Sequence, residues 1–414
     1  VLSERSPRKA VVVGGGLIGM EMTECLRERG IEVTLVELME QVLPFLDWEM
    51  TQPIQAHLEE KGVRLLLGHP LKSVEPSPQG GGEVVAGDDS RIPCEIVILA
   101  IGVKPEVELA RKAGAAIGPT GAIAVDEEMR TSLPDVFAAG ECAEAVNLIT
   151  GKAAYMPMAT VANKQGRVAG ANAAGRHLTV QGFCSTVVVK VMDMTAGRTG
   201  LNQREALQEG HDPLVHYIHP EDHAGYYPGS HPLHVKIITC RQTGRLLGAQ
   251  VVGRKGVDKR LDVFATALYN RMNTEDLVHL DLAYAPPYSP ARDAVLVAGA
   301  TAQTLFSEDW QAIPPEELHV LIHSHINTSI VDVRQHEECQ ENGIIPGAVV
   351  IPLPELRQRL AELDPARDTV VYCRQGLRGY IAARILAQLG FEKVKNLTGG
   401  ILSWPYELVK GKNQ

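Results

Sequence analysis

The sequence predicts an α/β protein of several domains, and three observations carry this prediction. Strand and helix patterns alternate from residue 8 to about residue 118, and they alternate again from Leu318 onwards, as in parallel sheets whose strands are joined by helices. Residues 183–302 between them have an α+β pattern, which includes a helix predicted at residues 262–271. The length of 414 residues allows about two to four domains with substantial cores.

Composition and charge restrict the classes of function. Hydrophobic residues make up 45% and charged residues 22% of the chain, as in an ordinary globular protein. A net charge of −10 leaves no basic stripe to neutralise phosphates, so we predict no nucleic-acid partner. No apolar run reaches membrane-spanning length, so we predict no membrane partner. Seven scattered cysteines without a CxxC pair indicate reduced thiols and a cytoplasmic protein.

The segment that begins at Lys9 has the spacing of a dinucleotide-binding strand, turn and helix. An apolar strand leads into Gly14, Gly16 and Gly19, and a helix pattern follows. We predict that Gly14 makes the tight turn, that Gly16 lets the backbone approach a pyrophosphate, and that Gly19 lets the helix lie close to the sheet. The positive end of the helix then faces the pyrophosphate.

An acidic residue, Glu37, ends the next apolar run about 20 residues after the first glycine, where such units bind the ribose. Its carboxylate can accept a hydrogen bond from a ribose 2′-hydroxyl and would repel a 2′-phosphate. No Arg or Lys follows it immediately. We therefore predict NADH as the nucleotide, with NADPH as the alternative. The run that closes this unit ends at Gly102, a further candidate cofactor-binding residue.

Five motifs occur in order within residues 8–306, and together they resemble the pyridine nucleotide-disulfide oxidoreductases. The resemblance is strongest to the branch of coenzyme A-disulfide reductases and NADH oxidases. The motifs are the glycine turn and the segments 100–105, 131–143, 162–167 and 256–260. The resemblance implies FAD and NADH as cofactors and a homodimer. It also implies coenzyme A as a substrate, in the form of a disulfide or persulfide.

In that family, the segment that matches Gly140–Ala143 holds the ribityl and pyrophosphate of FAD, usually through an Asp. Here Glu141 stands at that place, so the resemblance implies Gly140 and Glu141 as FAD-binding residues. A strand is predicted at residues 122–125 in the same region. The family's first FAD half-domain and redox cysteine do not precede Lys9. We therefore expect the chain to be the C-terminal part of a longer flavoprotein that binds FAD weakly by itself.

Two tyrosine-containing loops, at residues 226–229 and 284–288, also resemble that branch. In the family, one tyrosine from each loop reaches across the dimer to the thiol beside the flavin. A phenol there can stabilise a developing thiolate or oxyanion. The resemblance implies Tyr226 and Tyr284 for this role, with Tyr227 and Tyr288 as alternatives. Packing at the dimer interface is a further interpretation of any one of them.

Five histidines lie between residues 216 and 234 and raise the question of a metal site. Prolines and glycines interrupt the segment, and no cysteine or carboxylate cluster completes a tetrahedral ligand set. We predict no metal there and interpret the segment as a loop near the dimer face. The five residues are His216, His219, His223, His231 and His234.

Near the C-terminus, the segment 369–378 is predicted to be a strand whose following loop opens a helix. Cys373 would lie at the bottom of a ring of backbone N–H groups, and Arg374 and Arg378 flank it. These donors favour the thiolate, which can accept a sulfane sulfur and hold it as a persulfide. A cysteine phosphatase is the alternative, but its loop needs one more residue between Cys373 and Arg378.

This loop, with the segments 331–334, 345–348 and 396–400, resembles the rhodanese-type sulfurtransferases. The predicted function is therefore a flavin-dependent NAD(P)H reductase of coenzyme A disulfide or persulfide, fused to a sulfurtransferase. An NADH oxidase or peroxidase is one alternative, and a dimerising, nucleotide-binding fragment with only sulfurtransferase activity is another. We expect a Rossmann-type NAD domain at 8–118, a remnant of an FAD domain at 119–182, an α+β dimerisation domain at 183–304 and an α/β rhodanese domain at 318–411. A linker is expected at 307–315 and a strand at 320–322.

Overall fold

Two parallel sheets and one five-stranded antiparallel sheet organise the protein, which confirms the α/β fold class with an α+β part between. They are seen in a computed structural model that describes residues 7–77, 81–306, 310–324 and 328–410. We call the three parts the N-terminal unit (7–118), the antiparallel unit (187–306) and the C-terminal unit (310–410). In the described part of the chain no helix is long and apolar enough to cross a membrane.

The N-terminal unit is built on a four-stranded parallel sheet with the strand order β3-β2-β1-β7. Strand β1 is buried over Ala10–Val13, because these consecutive apolar residues face neighbours on both sides of the sheet. The elements are β1 (Lys9–Val13), α1 (Leu17–Arg27), β2 (Glu32–Val36), α2 (Trp48–Glu60), β3 (Arg64–Leu66), β4 (Leu71–Pro76), β5 (Gly82–Ala86), β6 (Arg91–Cys94), β7 (Ile96–Leu99) and α3 (Glu108–Ala113).

The segment between residues 119 and 182 has little regular structure besides one helix. Its elements are β8 (Ala145–Val146), β9 (Ala153–Ala154) and α4 (Ala159–Ala173). The predicted strand at 122–125 is wrong, because only Ile123 is bridged there, to Ile117 and Ala143. Gly121 turns the chain just before it, with φ +85°.

The antiparallel unit is a sheet of order β10-β11-β14-β13-β12 with helices packed on one face. Helix α6 begins earlier than predicted, at Val257, because Val257 and Leu261 both bury their side chains in the core. The elements are β10 (Val187–Val191), β11 (Met194–Gly200), α5 (Gln203–Gln208), β12 (Pro213–Ile218), β13 (His234–Cys240), β14 (Leu246–Gly253), α6 (Val257–Tyr269), α7 (Thr274–Val278) and α8 (Ala294–Phe306).

The C-terminal unit is a five-stranded parallel sheet of order β15-β19-β18-β16-β17, with apolar clusters on both faces. Short 3₁₀ turns lie at Leu360–Glu362 and Gly400–Ser403. The other elements are β15 (Gln311–Ile313), α9 (Pro315–His323), β16 (Ser329–Asp332), α10 (His336–Asn342), β17 (Ala348–Val350), β18 (Thr369–Tyr372), α11 (Leu377–Gln388) and β19 (Val394–Leu397).

Two expectations near the start of this unit are corrected. Residues 311–313 of the predicted linker form β15, which pairs with β19, while residues 307–309 lie outside the described residues. The predicted strand at 320–322 lies within helix α9. Pro315 in the first turn favours a helix, and Leu318, Leu321 and Ile322 then fall on one face against the core.

The three units pack on one another through Tyr217, at the end of β12. Its hydroxyl donates to Glu49 Oε1 of the N-terminal unit at 2.6 Å, and its backbone N–H donates to Thr398 Oγ1 of the C-terminal unit at 3.0 Å. The apolar core of the N-terminal unit also continues into the antiparallel unit through Val189 and Val252. The units therefore form one packed body around this tyrosine.

Candidate functional site

The glycine turn after β1 has the geometry that its three glycines predict. Gly14 has φ +104°, and a Cβ there would lie 2.3 Å from the carbonyl oxygen of Ala100. A Cβ on Gly19 would lie 1.8 Å from the carbonyl oxygen of Gly14. Gly16 has no neighbour within 4 Å of such a position. A side chain thus has no room at Gly14 or Gly19, whereas the backbone at Gly16 is open to a ligand.

Glu37 lies directly behind this turn, at the end of β2. Its carboxylate accepts hydrogen bonds from the Gly15 N–H at 2.5 Å and from the Met39 N–H at 2.8 Å. The side chain is buried, so both contacts are shielded from water. Gly102 follows β7 on the other side of the turn, with φ +98° and open space around it. Parallel strands therefore bring these predicted cofactor residues to one edge of the sheet.

The predicted FAD residues lie in a turn that packs against helix α4. The Gly140 N–H donates to Gln165 Oε1 at 2.9 Å, and Gln165 Nε2 donates to the Glu144 carbonyl at 2.8 Å. Gln165 is fully buried, and its hydrogen bonds connect two of the five motifs. It was not among the site residues predicted from the sequence. Glu141 is exposed beside it. The carboxylate that is held firmly is that of Glu144, which accepts from the backbone N–H and the hydroxyl of Thr120.

The two predicted tyrosines meet although they are far apart in sequence. The Tyr226 and Tyr284 hydroxyls lie 3.2 Å apart, and both side chains are exposed. The hydrogen bond from Tyr284 raises the pKa of Tyr226. Tyr227 packs against His223 instead, with ring centroids 5.7 Å apart, and Tyr288 is exposed. The structure thus pairs the two tyrosines selected from the motifs.

Arg260 holds the two tyrosine loops in place, a role that the sequence did not reveal. Its guanidinium is buried and donates to the carbonyl of Asp222, which precedes the first loop, at 2.8 Å. It also pairs with Asp293, after the second loop, at 3.0 Å. The Ser289 hydroxyl donates to that carboxylate at 2.8 Å. The segments next to the two tyrosine loops are therefore anchored to the same buried cation.

Cys373 lies at the bottom of the predicted cradle, after β18. It is 2% exposed, and the Gly376 N–H donates to its Sγ at 3.1 Å. Its carbonyl accepts from the Ile401 N–H at 2.8 Å, and a Cβ on Gly400 would lie 2.4 Å from that carbonyl. Helix α11 starts one residue after Gly376. The Gly376 N–H and the N-terminus of helix α11 thus lie next to the sulfur, where they can stabilise a thiolate or persulfide.

Arg378 connects this cradle to Glu338 of α10. The guanidinium donates to both carboxylate oxygens of Glu338, at 2.6 and 2.7 Å. This pairing lowers the pKa of Glu338 to about 2, and it raises the pKa of Arg378, to which the neighbouring Cys373 also contributes. The ion pair therefore persists at neutral pH and is lost only as the pH falls towards 2. Arg374, the other predicted arginine, is exposed.

We expect Arg378→Ala to slow sulfur transfer by about 10²-fold or more, because it removes a cation that faces the developing charge at Cys373. Arg378→Lys should recover part of the rate, since it keeps the charge but loses the two-pronged contact with Glu338. Steady-state transfer from thiosulfate to cyanide measures both effects. Arg374→Ala is the matched comparison. A larger loss in Arg374→Ala than in Arg378→Ala would reverse the assignment.

Three of the five histidines, His216, His219 and His223, are buried. Burial lowers the pKa of His216 and of His234 to about 4, and it lowers the pKa of His219 further. These side chains are therefore neutral at neutral pH. Within the described ranges, no three His, Cys, Asp or Glu side chains are grouped as metal ligands.

Each of the three units matches the model of a known protein family or domain. Residues 1–166 match the pyridine nucleotide-disulphide oxidoreductases, residues 186–295 match the dimerisation domain of that family, and residues 314–406 match the rhodanese-like domain. The chain belongs to the pyridine nucleotide-disulphide oxidoreductase family and carries a C-terminal rhodanese-like domain. The resemblance inferred from the motifs is thereby confirmed.

Individual relatives agree with this assignment. The chain is 41% identical over 288 residues to the NAD(P)H coenzyme A polysulfide/persulfide reductase of Pyrococcus horikoshii. The matched region covers 69% of this chain and 64% of the relative. It is 27% identical over 303 residues to the coenzyme A disulfide reductase of Staphylococcus epidermidis, with coverages of 73% and 68%. The chain thus spans slightly less than two thirds of the length of the first of these relatives.

Solved structures match nearly the whole chain. CoADR-RHD from Bacillus anthracis, in its reduced form, has a TM-score of 0.92 and 39% identity, and the match covers 97% of this chain and 71% of that chain. The NAD-dependent persulfide reductase from A. fulgidus has a TM-score of 0.90 and 40% identity, with coverages of 97% and 73%. The arrangement of all three units is therefore found in known structures.

Proposed function

We propose that the chain belongs to an NAD(P)H-dependent, FAD-containing reductase of coenzyme A disulfide or coenzyme A persulfide, whose C-terminal unit is a sulfurtransferase. The observation that carries this proposal is the presence in one chain of two sites for sulfur chemistry, namely the tyrosine pair and the Cys373 cradle. The names of the relatives support the same substrates. Joining the sites raises the effective concentration of the sulfur carrier at the reductase.

The residues of the glycine turn and Glu37, at one edge of the N-terminal parallel sheet, have the following roles in this proposal. Gly14, Gly16 and Gly19 position the pyrophosphate of the nucleotide, and Glu37 orients the turn and excludes a 2′-phosphate. When bound, the nicotinamide supplies a hydride and the flavin supplies a two-electron relay to the sulfur substrate. Gly102, Gly140 and Glu141 are the proposed contacts of this chain with the cofactors. NADH is the favoured nucleotide.

The tyrosine pair has the role of stabilising charge on sulfur. Tyr226 and Tyr284 are exposed and share a hydrogen bond, so one phenol can donate to a substrate thiolate while the other supports it. We propose that they act across a homodimer that forms through the antiparallel unit. The seven free cysteines are consistent with a cytoplasmic setting.

The proposed domain bounds are 8–118, 119–182, 183–304 and 318–411 as expected from the sequence, except that the start of the last domain moves from residue 318 to β15. An oxidase that uses oxygen or peroxide is the second candidate, because a relative from Methanocaldococcus jannaschii, 35% identical over 302 residues, is an NADH oxidase. The Cys373 cradle has no role in such a reaction, which favours the reductase.

We expect Tyr226→Phe to lower kcat/KM for NADH-dependent sulfide release from coenzyme A persulfide by about 10²-fold, the usual cost of losing one donor to a developing anion. Tyr227→Phe is the control, because Tyr227 packs on His223 and lies outside the hydrogen-bonded pair. Sulfide release and NADH consumption are followed together in the full-length flavin-loaded protein. Consumption of oxygen in place of the persulfide would support the oxidase instead.

A further inference from the structure

A cavity lies between the antiparallel unit and the C-terminal unit, next to the Cys373 loop. Its volume is about 380 Å³. One wall is made by the end of β12 and by helix α8, and the other wall by the loop residues Gln375, Gly376 and Leu377 and by Tyr380. Because Gly376 donates to the Cys373 sulfur, the cavity reaches the loop that holds the reactive atom.

His219, from the antiparallel unit, lines this cavity and is 4% exposed. Neither of its ring nitrogens has a hydrogen-bond partner in the part of the chain that the structure describes. A buried polar group without a partner is costly, so a ligand that supplies one gains binding energy. The neighbouring Gly399 fits closely here, since a Cβ at that position would lie 2.8 Å from His219 Nε2.

The chemistry of the lining selects for a neutral organic molecule rather than a small anion. Trp310 and Tyr380 line the cavity and contact each other edge to face, with ring centroids 5.4 Å apart, and Val297 adds apolar surface. Thr301 and the neutral imidazole of His219 offer uncharged hydrogen bonds. The exposed Arg292 is a cation at the rim. An uncharged chain with amide groups matches the apolar and hydrogen-bonding part of this lining.

We propose that this cavity binds the organic thiol that exchanges sulfur with Cys373, and that His219 and helix α8 give the sulfurtransferase its selectivity for thiols of the pantetheine class. The proposal rests on the sulfurtransferase function proposed above and deepens it. In this proposal, residues of both the antiparallel unit and the C-terminal unit form the acceptor site. Selectivity therefore depends on residues far from the Cys373 loop in sequence.

The transfer step is balanced without any external oxidant or reductant. Thiosulfate first gives its outer sulfur to the Cys373 thiolate, and sulfite leaves. The thiol of the bound acceptor passes its proton to the outer sulfur of the Cys373 persulfide, and the acceptor thiolate then attacks that sulfur. One S–S bond forms as the other breaks, the electron pair leaves on Cys373 as thiolate, and the proton stays with the transferred sulfur. His219 touches the acceptor chain and takes no part in the proton balance.

Two pairs of variants test the proposal, with pantetheine and cyanide as alternative acceptors. Ala300→Phe fills the cavity from α8 and should raise KM for pantetheine about tenfold or more, whereas KM for cyanide, which is far smaller, should be unchanged. Gln303→Phe is the matched control, since Gln303 lies on the same helix and does not line the cavity. His219→Leu should lower kcat/KM for pantetheine about tenfold through loss of a buried hydrogen bond, and His219→Gln should recover part of it.

The cyanide reaction separates the possible failures. If Ala300→Phe and His219→Leu change both acceptors equally, or change neither, the cavity is not the acceptor site and the proposal is overturned, while the sulfurtransferase function stands. If Cys373 delivers sulfur to neither acceptor in the unmodified protein, both the sulfurtransferase function and this inference fail. A loss confined to pantetheine in Ala300→Phe and His219→Leu supports the cavity.

Discussion

Cys373→Ser is expected to abolish sulfur transfer from thiosulfate to cyanide or to a thiol. A serine hydroxyl is not ionised near neutral pH and does not form a persulfide, so the carrier of the sulfur atom disappears. The backbone donor of the cradle, the Gly376 N–H at 3.1 Å from Sγ, remains in place and has no charge to stabilise. The effect should exceed that of any other single substitution in this unit.

The measurement combines steady-state kinetics with mass spectrometry of the protein after exposure to thiosulfate, which detects the added sulfur atom. Cys339→Ser is the matched control in the same unit. Cys339 is buried, its thiol donates to Asp332 at 3.4 Å, and burial raises its pKa to about 12, so it is a poor nucleophile. Persistence of transfer in Cys373→Ser, together with its loss in Cys339→Ser, would refute the assignment.

Transfer by Cys373 should also proceed without NADH. The cradle is formed by residues of the C-terminal unit, and none of its contacts with Cys373 comes from the nucleotide-binding edge of the N-terminal unit. Adding NADH should change neither the rate nor the stoichiometry of transfer to cyanide.

The sites that could be predicted from the sequence are those that contiguous residues form. The glycine turn and the Cys373 loop each lie within about ten residues, and their chemistry depends on local backbone geometry. The pairing of Tyr226 with Tyr284 came from a family resemblance, since the sequence alone does not place two loops together. Arg260, Gln165 and His219 were missed because their importance arises from partners distant in sequence, which only the folded structure identifies.

The errors in secondary structure have a similar physical origin. Val320, Leu321 and Ile322 form a short apolar run whose β-branched residues favour a strand, but the proline and acidic residues before them start a helix. Ile123 has apolar neighbours that also suggest a strand, but only isolated bridges to Ile117 and Ala143 form there. Short apolar runs are ambiguous by themselves, and tertiary contacts decide between the alternatives.

The largest effect on stability is expected at Lys236, a fully buried lysine of β13 that faces the N-terminal unit. Its ammonium group pairs with Asp47 at 2.7 Å and with Glu49, and it donates to Gln203 Oε1 at 2.9 Å. Burial alone would lower the pKa of Lys236, yet the two carboxylates outweigh burial and raise it. The charge is therefore retained, and it binds two units together.

Lys236→Met should lower the free energy of unfolding by about 3–5 kcal/mol, because it leaves two buried carboxylates without their cation. Denaturant unfolding followed by tryptophan fluorescence measures the change, since Trp48 lies at the start of helix α2 between these two carboxylates. Lys395→Ala is the control, because its pair with Glu317 is partly exposed and such pairs contribute only about 0.2–1 kcal/mol.

The triple variant Lys236→Met, Asp47→Asn and Glu49→Gln should be more stable than Lys236→Met alone, because it removes the unpaired charges along with the cation. Tyr217 would still reach residue 49 through a neutral hydrogen bond, so the contact with Thr398 of the C-terminal unit should persist. If Lys236→Met unfolds at the same denaturant concentration as the unmodified protein, water must screen the charges of Asp47 and Glu49. The contact between the N-terminal unit and the antiparallel unit would then not depend on the charge of Lys236.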